Sequence, residues 1–401
     1  MPSSPAPLRY LRREFLRHRA VLQHRAVLQH RAVLRPSAIL RPSAVLRRSA
    51  VVAAVAATGL ALAACSSTSS SSSSTAATAS SGSASSGSGS SSSSSSSSTK
   101  PVNIAYLSFA VENSYDAPML AAAQTVASDQ GATLKVFDAN NSPQTQFSQL
   151  QDVINSGQYN GIIVQPIFGT GLTSLVAQAI TKGIKVVNMD QILGPKLDTD
   201  QPQVTGLSAN VAFVPTEIGT KLGAQVIAAC ASKNLNPCNV GYLYDIKASA
   251  LDVAINGAFQ AAIKGSPVKI VAQGQSFFTP TTGEQAVQTM LQASPNLNLV
   301  VGSDQGIEGG AIAIATAHKT GKVLLVGYGA SAAAIAGVSS GAWFSDVAQA
   351  PASEGRLAVQ ALIKAVRDGT DSGAIDPVAG LPNGGIVTKA NASQFTAEWP
   401  G

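Results

Sequence analysis

Histidine is nearly missing from this chain: of four in 401 residues, three lie within the first thirty positions and only His318 follows. In "AHKTG" that one imidazole reads as a helix-end cation facing the last free carbonyls, and a lone His does not furnish a nucleophile and base triad. The sequence also has no HExxH, no CxxC pair, no phosphate-binding P-loop and, beyond its Ser-rich stretch, no GxSxG. Enzymes built on those devices are excluded, so the expectation is a non-enzyme with no cofactor and no metal. Cysteine is scarce too, with Cys65, Cys230 and Cys238 alone. The last two bracket "CASKNLNPC" without further zinc ligands nearby. A Cys230–Cys238 disulfide is therefore expected in an exported protein, where so short a loop contributes about 2 to 3 kcal/mol.

Arginine is abundant in only one place. Eleven Arg and one Glu precede Cys65, a charge of +10 against +6 for the whole chain, so the remainder carries −4. The pI near 9.2 therefore belongs to the leader, and the case for nucleic acid as a partner disappears with it. A six-residue repeat, "HRAVLQ HRAVLQ HRAVLR PSAILR PSAVLR", occupies residues 18–47 and is followed by an apolar run over residues 50–64. That run is too short and too rich in Ala for a bilayer span, and its Arg flank suits the n-region of a secretion signal. The repeat reads either as an extension upstream of the true coding start or as a basic arm, and the residues leave both open.

Leu62, Ala63, Ala64 and Cys65 resemble the lipobox of bacterial lipoproteins, in which the cysteine is lipidated and becomes the first residue of the mature chain. Two or more acyl chains, at about 0.8 kcal/mol per buried methylene, would hold a protein on a membrane without other help. Residues 66–99 are almost all Ser, with some Gly, Ala and Thr. Such a composition cannot bury enough apolar area to offset the entropy of ordering. Residues 1–65 are thus expected to be a leader and lipoprotein signal, and residues 66–99 a tether with a span of roughly 30 to 35 Å.

From Lys100 the pattern changes. "VNIAYLS", "TLKVFDA", "GIIVQP" and "IKVVNMD" are short apolar runs with polar ends, as buried parallel strands are. Amphipathic helices separate them; Ser142 and Pro143 cap one whose apolar face is Phe147, Leu150, Val153 and Ile154. The rhythm then restarts with "NVGYLYD", "VKIVAQG", "LNLVVGS" and "KVLLVGY". Helices are expected over residues 216–232, 249–264, 281–293 and 307–320, with Thr281 and Glu284 as a capping box. The fold class is α/β: two doubly wound parallel-sheet lobes joined by a hinge, with a cleft at the carboxyl ends of the strands.

The chain from about Lys100 onward resembles the type I periplasmic binding proteins, specifically ribose-binding-like receptors of ABC importers. The resemblance rests on "VNIAYLSFAVENSYDAPMLAAAQTVASDQG", "VVNMDQ", "GAFQAAI", "VVGSDQGIEGGAIAIATAHKTGKVLLVGYG" and "DVAQAPASEGRLAV", which occur in the family's order over about three quarters of the sequence. It implies an N-terminal lobe of residues 100–208 and 349–380 and a C-terminal lobe of residues 209–348 and 381–401. Hinge crossings fall near Ser208, Gln349 and Leu381. Matched position by position, it implies ligand contacts from Asn113, Tyr115, Asp116, Asp190, Gln191, Phe278, Asp304, Tyr328 and Gln349. Asp116 stands where the family usually has an aromatic and Gln191 where an Arg is frequent. Gly329 replaces a common Asp and Val253 a common Arg, and only Arg356 and Arg367 remain after the leader. The clamp on sugar hydroxyls is therefore reduced, which allows a different sugar, a polyol or a less hydroxylated solute.

The resemblance implies capture of a small, sugar-like molecule by hinge closure and its delivery to an ABC permease and ATPase. The protein is expected to be a monomer on the extracellular face of the cell membrane, or in the periplasm, held by its lipid anchor. The alternative is a membrane-tethered sensor that presents bound ligand to a signalling partner. A repressor with the same lobes would need a DNA-binding segment ahead of them, where this chain has a signal and a serine run.

Overall fold

A computed structural model describes residues 100–401; the leader, Cys65 and the Ser-rich tether lie outside the described residues. Alternate side chains of the opening strand β1 (Asn103–Ser108) enter two different apolar clusters: Ile104 and Tyr106 join one, Ala105 and Leu107 the other. A strand apolar on both faces must be covered on both, and this requirement generates the layered architecture. β1 pairs in parallel with β2 (Thr133–Asp138) and β3 (Gly161–Val164). The sheet continues through β4 (Lys185–Asp190) and β5 (Ala209–Ala212) to β11 (Gly373–Ile375), in the order β11-β5-β4-β3-β1-β2. Helices α1 (Asp116–Asp129) and α9 (Pro351–Asp368) cover one face, while α2 (Pro143–Ser156) and α3 (Gly169–Thr181) cover the other.

The second lobe repeats the scheme. β6 (Cys238–Tyr244), β7 (Val268–Gln275), β8 (Leu299–Ser303), β9 (Leu324–Gly329) and β10 (Ser345–Ala348) are parallel, and β12 (Ile386–Thr388) closes the edge antiparallel to β10. α4 (Pro215–Ser232) and α5 (Ala250–Ile263) pack on one face through Leu222, Val226, Ile255 and Phe259. α6 (Pro280–Ala293), α7 (Asp304–Thr316) and α8 (Ala332–Ser340) pack on the other. Cys230 near the end of α4 is bonded to Cys238 at the start of β6, with a Cα–Cα distance of 5.9 Å.

Three sequence expectations change. Ala209–Ala212 pairs in parallel with Val187–Asp190 and so extends the first sheet. The first crossing therefore follows Ala212, at Phe213 and Val214, rather than Ser208. The Thr281/Glu284 capping box is absent, because Thr279 is the cap of α6 and accepts from Thr282 N at 3.3 Å with Pro280 in the first turn. Phe147 is turned outward, 37% exposed, and the inner position of α2 belongs to the fully buried Gln146. Gln146 donates to the Gln165 carbonyl at 2.7 Å and accepts from Ile167 N at 2.9 Å. A burial pattern read only from apolar spacing misses an amide that satisfies strand-end backbone.

The remaining crossings join β10 to α9 and β11 to β12. The C-terminal segment adds a further tie. Glu398 accepts from Ser353 N in the first lobe at 2.7 Å, while Trp399 Nε1 donates to the Gly329 carbonyl of the second at 2.8 Å.

Close packing of α9 on α1 depends on Gly355, where any Cβ would run into the Met119 carbonyl. An exposed helical Gly→Ala change adds up to about 1 kcal/mol of stability. Here overpacking reverses the sign, and Gly355→Ala is expected to lower unfolding stability by roughly 1 to 3 kcal/mol in urea titration. An increase would contradict this packing.

Candidate functional site

Both sheets end on the same cleft. In the first lobe, the chain leaving β1 passes Phe109 and Asn113 and enters α1 through Tyr115 and Asp116. Asn113 Oδ1 accepts from Tyr115 N at 2.8 Å, which folds the loop back on itself. β4 ends at Asp190, whose φ of 67° is in the left-handed region, so its side chain turns off the sheet into the cleft beside Gln191. Between them Gln165, at the end of β3 and fully buried, donates through Nε2 to Asp116 Oδ1 at 2.7 Å and Asp190 Oδ2 at 3.1 Å. Its Oε1 accepts from Phe109 N at 3.0 Å.

Strand ends of the second lobe supply Ser303, Gln305 and Tyr328, with Phe278 following β7 and Leu251 on α5. Beneath them the buried Asp245 accepts from the hydroxyls of Ser276, Ser303 and Tyr328, which locks two of the lining side chains. Phe213 and Gln349 enter at the first two crossings. The cleft between the lobes, its open mouth included, is about 490 Å³. Across it, Gln305 Nε2 donates to Asn113 Oδ1 at 3.5 Å, and Phe109 meets Phe278 edge-on with ring centroids 6.4 Å apart.

Eight of the nine residues named from the sequence line this one space: Asn113, Tyr115, Asp116, Asp190, Gln191, Phe278, Tyr328 and Gln349. Asp304 does not. Its carboxylate is fully buried beneath the cleft, accepts from Ser331 N at 2.7 Å and lies against Asp346 beside Gly327. Burial pushes up both members of that acid pair; the Asp304 charge and hydrogen bond raise Asp346 further, while the same hydrogen bond holds Asp304 down. The cleft position expected for Asp304 is taken by its neighbour Gln305. Sequence reasoning also missed Phe109, Phe213, Leu251, Ser303 and the supporting Gln165. The strand end "GIIVQP" carried a signal for the last, a polar residue closing an apolar run at the level of Asp190.

The two reduced positions have structural counterparts. Val253 is 58% exposed on the outer side of α5, and Leu251 is what the helix presents to the cleft. At Gly329 a Cβ would approach the Trp399 ring to 2.5 Å, so the C-terminal indole occupies that place. Tyr115 packs edge-on against the same indole at 5.3 Å and donates its hydroxyl to Glu354 Oε1 at 2.9 Å.

Electrostatically the first-lobe wall is acidic. Burial raises the Asp190 pKa to about 7. Burial and then the Asp190 charge raise Asp116 and Glu354 well above the carboxylate range. Burial likewise brings Asp245 to about 7. An unfolded carboxyl titrates near 4, so between about pH 4 and 7 the folded chain holds more protons than the unfolded one, and stability falls as pH rises through that window. The ligand-free protein is expected to melt at a higher temperature at pH 5 than at pH 7.5, with a free-energy difference on the order of a few kcal/mol. Asp190→Asn, which loses the charge and suits a left-handed backbone, should flatten the slope. A melting temperature that falls toward pH 5 would contradict these burial effects.

Comparison with known proteins places this geometry. Residues 104–371 match the family model described as a periplasmic binding protein domain. The D-allose-binding periplasmic protein of Escherichia coli K12 is 30% identical over 234 residues, covering 56% of this chain and 71% of that protein. Among solved structures, an ABC transporter solute binding protein from Mycobacterium smegmatis with bound glycerol superposes with a TM-score of 0.63 at 24% identity, over 75% of this chain and 100% of that one. A periplasmic solute binding protein from Actinobacillus succinogenes with bound D-allose gives 0.63 at 23% identity, over 74% and 100%. With two sheets of this order, a cleft at their strand ends and a family match across more than half its length, the chain belongs to the periplasmic binding proteins of the type I, ribose-binding-like kind.

Proposed function

We propose that this chain captures a sugar or polyol between its lobes and delivers it to an ABC importer, while a lipid on Cys65 holds it at the outer face of the membrane. The observation that carries the reading is the division of the cleft. Asn113, Tyr115 and Asp190 come from one lobe, and Phe278, Gln305 and Tyr328 from the other. Neither half surrounds a solute by itself. A ligand that touches both shifts the hinge equilibrium toward closure by the difference in its affinity for the two states. The aromatic rings supply flat apolar faces at small entropic cost, and the amides and carboxylates fix hydroxyl orientation. Support also comes from the relative named for D-allose and from the neighbours that hold D-allose and glycerol. The lipobox-like residues 62–65 support the anchor.

Thermal shift and calorimetry against pentoses, hexoses and polyols test the reading. A member present at 100 times its Kd should add about 2.7 kcal/mol of stability. Removing one aromatic face in Phe278→Ala should weaken that ligand roughly 3- to 10-fold, the worth of one stacking contact. An unchanged affinity would take Phe278 out of the site. Cys65→Ser should move the protein from the membrane fraction to the medium, and its retention on membranes would contradict the lipid anchor.

A further inference from the structure

The acidic wall of the cleft has no partner of opposite sign. Asp116 and Asp190 both open onto it at 6% exposure, and Gln165 Nε2 is the single side-chain nitrogen that bonds either of them. Asp190 Oδ1 receives no donor among the described residues, although it belongs to a side chain that is more than nine-tenths buried and faces the cavity. Behind Tyr115, Glu354 Oε2 is likewise buried without a donor. No Lys, Arg or His lines the space. Among the described residues no group of three or more acidic, His or Cys side chains is arranged to hold a metal ion.

Around these carboxylates stand aromatic rings, Phe109 and Tyr115 from one lobe, Phe278 and Tyr328 from the other, and Phe213 at the crossing. Ring faces attract cations, and more strongly where water is excluded. A neutral sugar placed here supplies hydroxyl donors but no positive charge, so the two neighbouring acids ionise only against burial and mutual repulsion. An ammonium group supplies three donors and the missing positive charge at once.

We propose that the solute taken by this cleft carries a protonated amine, seated against Asp116 and Asp190 within the ring of aromatics: an amino sugar or an amino polyol. The inference rests on the reading of the cleft as a sugar-class receptor site and names the member of that class. The raised proton affinity of Asp190 is consistent with it, since burial penalises its charged form and a bound ammonium offsets that penalty.

Calorimetric titration of the whole protein at pH 7 distinguishes the cases. The probes are D-glucosamine, D-galactosamine and 1-amino-1-deoxy-D-sorbitol, each beside its neutral parent, with N-acetyl-D-glucosamine as the uncharged form of the first. At least one amine is expected to bind tenfold or more tightly than its parent. Asp190→Asn should weaken the amine at least tenfold more than it weakens the parent, so that the amine's advantage is lost. Asp116→Asn provides the same test if the first variant melts below the working temperature. Neutral parents that bind as tightly as every amine, or an amine advantage that survives in both variants, would overturn the amine assignment and leave the sugar receptor standing. Silence from amines and neutral sugars alike, extended to the pentoses and polyols, would overturn both.

Discussion

One amide holds the first-lobe half of the site together. Gln165 Nε2 is shared by Asp116 and Asp190, its Oε1 fixes the backbone at Phe109, and its own main chain is held by Gln146 from α2. The ends of β1, β3 and β4 are thereby tied at one level, although they are far apart in sequence. Two carboxylates so close in a buried wall repel one another and resist ionisation. A shared donor keeps them in place until a solute brings further partners.

The second lobe solves a similar problem with the opposite polarity of bonding. There Asp245 is the acceptor, and three hydroxyls from Ser276, Ser303 and Tyr328 converge on it. The acid lies beneath the cavity surface and two of its donors, Ser303 and Tyr328, line the cavity, so Tyr328 is presented as a rigid ring. Between the lobes, the C-terminal segment joins Ser353 of α9 to Gly329 of β9 through Glu398 and Trp399. This contact adds to the three backbone crossings and sets the indole beside Tyr115, next to the cleft. On the proposed reading, closure would act on a hinge that this segment also bridges, and the free energy available to move it is the difference in solute contacts between open and closed states.

Much of this was legible in the residues. Short apolar runs such as "VNIAYLS" and "LNLVVGS" declared buried parallel strands because both faces must be apolar, and their polar ends marked the cleft. The four-residue strands Ala209–Ala212 and Ser345–Ala348 carry too little pattern to be seen, and the first crossing was misplaced with the former. Asp304 and Gln305 differ by one position on a helix start, and spacing alone does not decide which side chain enters the cleft. The packing of α7 beside Ser331 and Asp346 does. Gln146 and Gln165 escaped attention because a buried amide is invisible to any pattern of apolar positions. Trp399 gave no signal at all until the tail was seen folded back over the Gly329 backbone.

The central claim is that solute contacts shared between two lobes drive them together. Small-angle scattering of residues 100–401, with and without a saturating calorimetrically confirmed ligand, tests it most directly. The account predicts a smaller radius of gyration and a shorter maximum dimension in the bound state. Identical profiles at saturation would show that a solute binds without bringing the lobes together, and would contradict it.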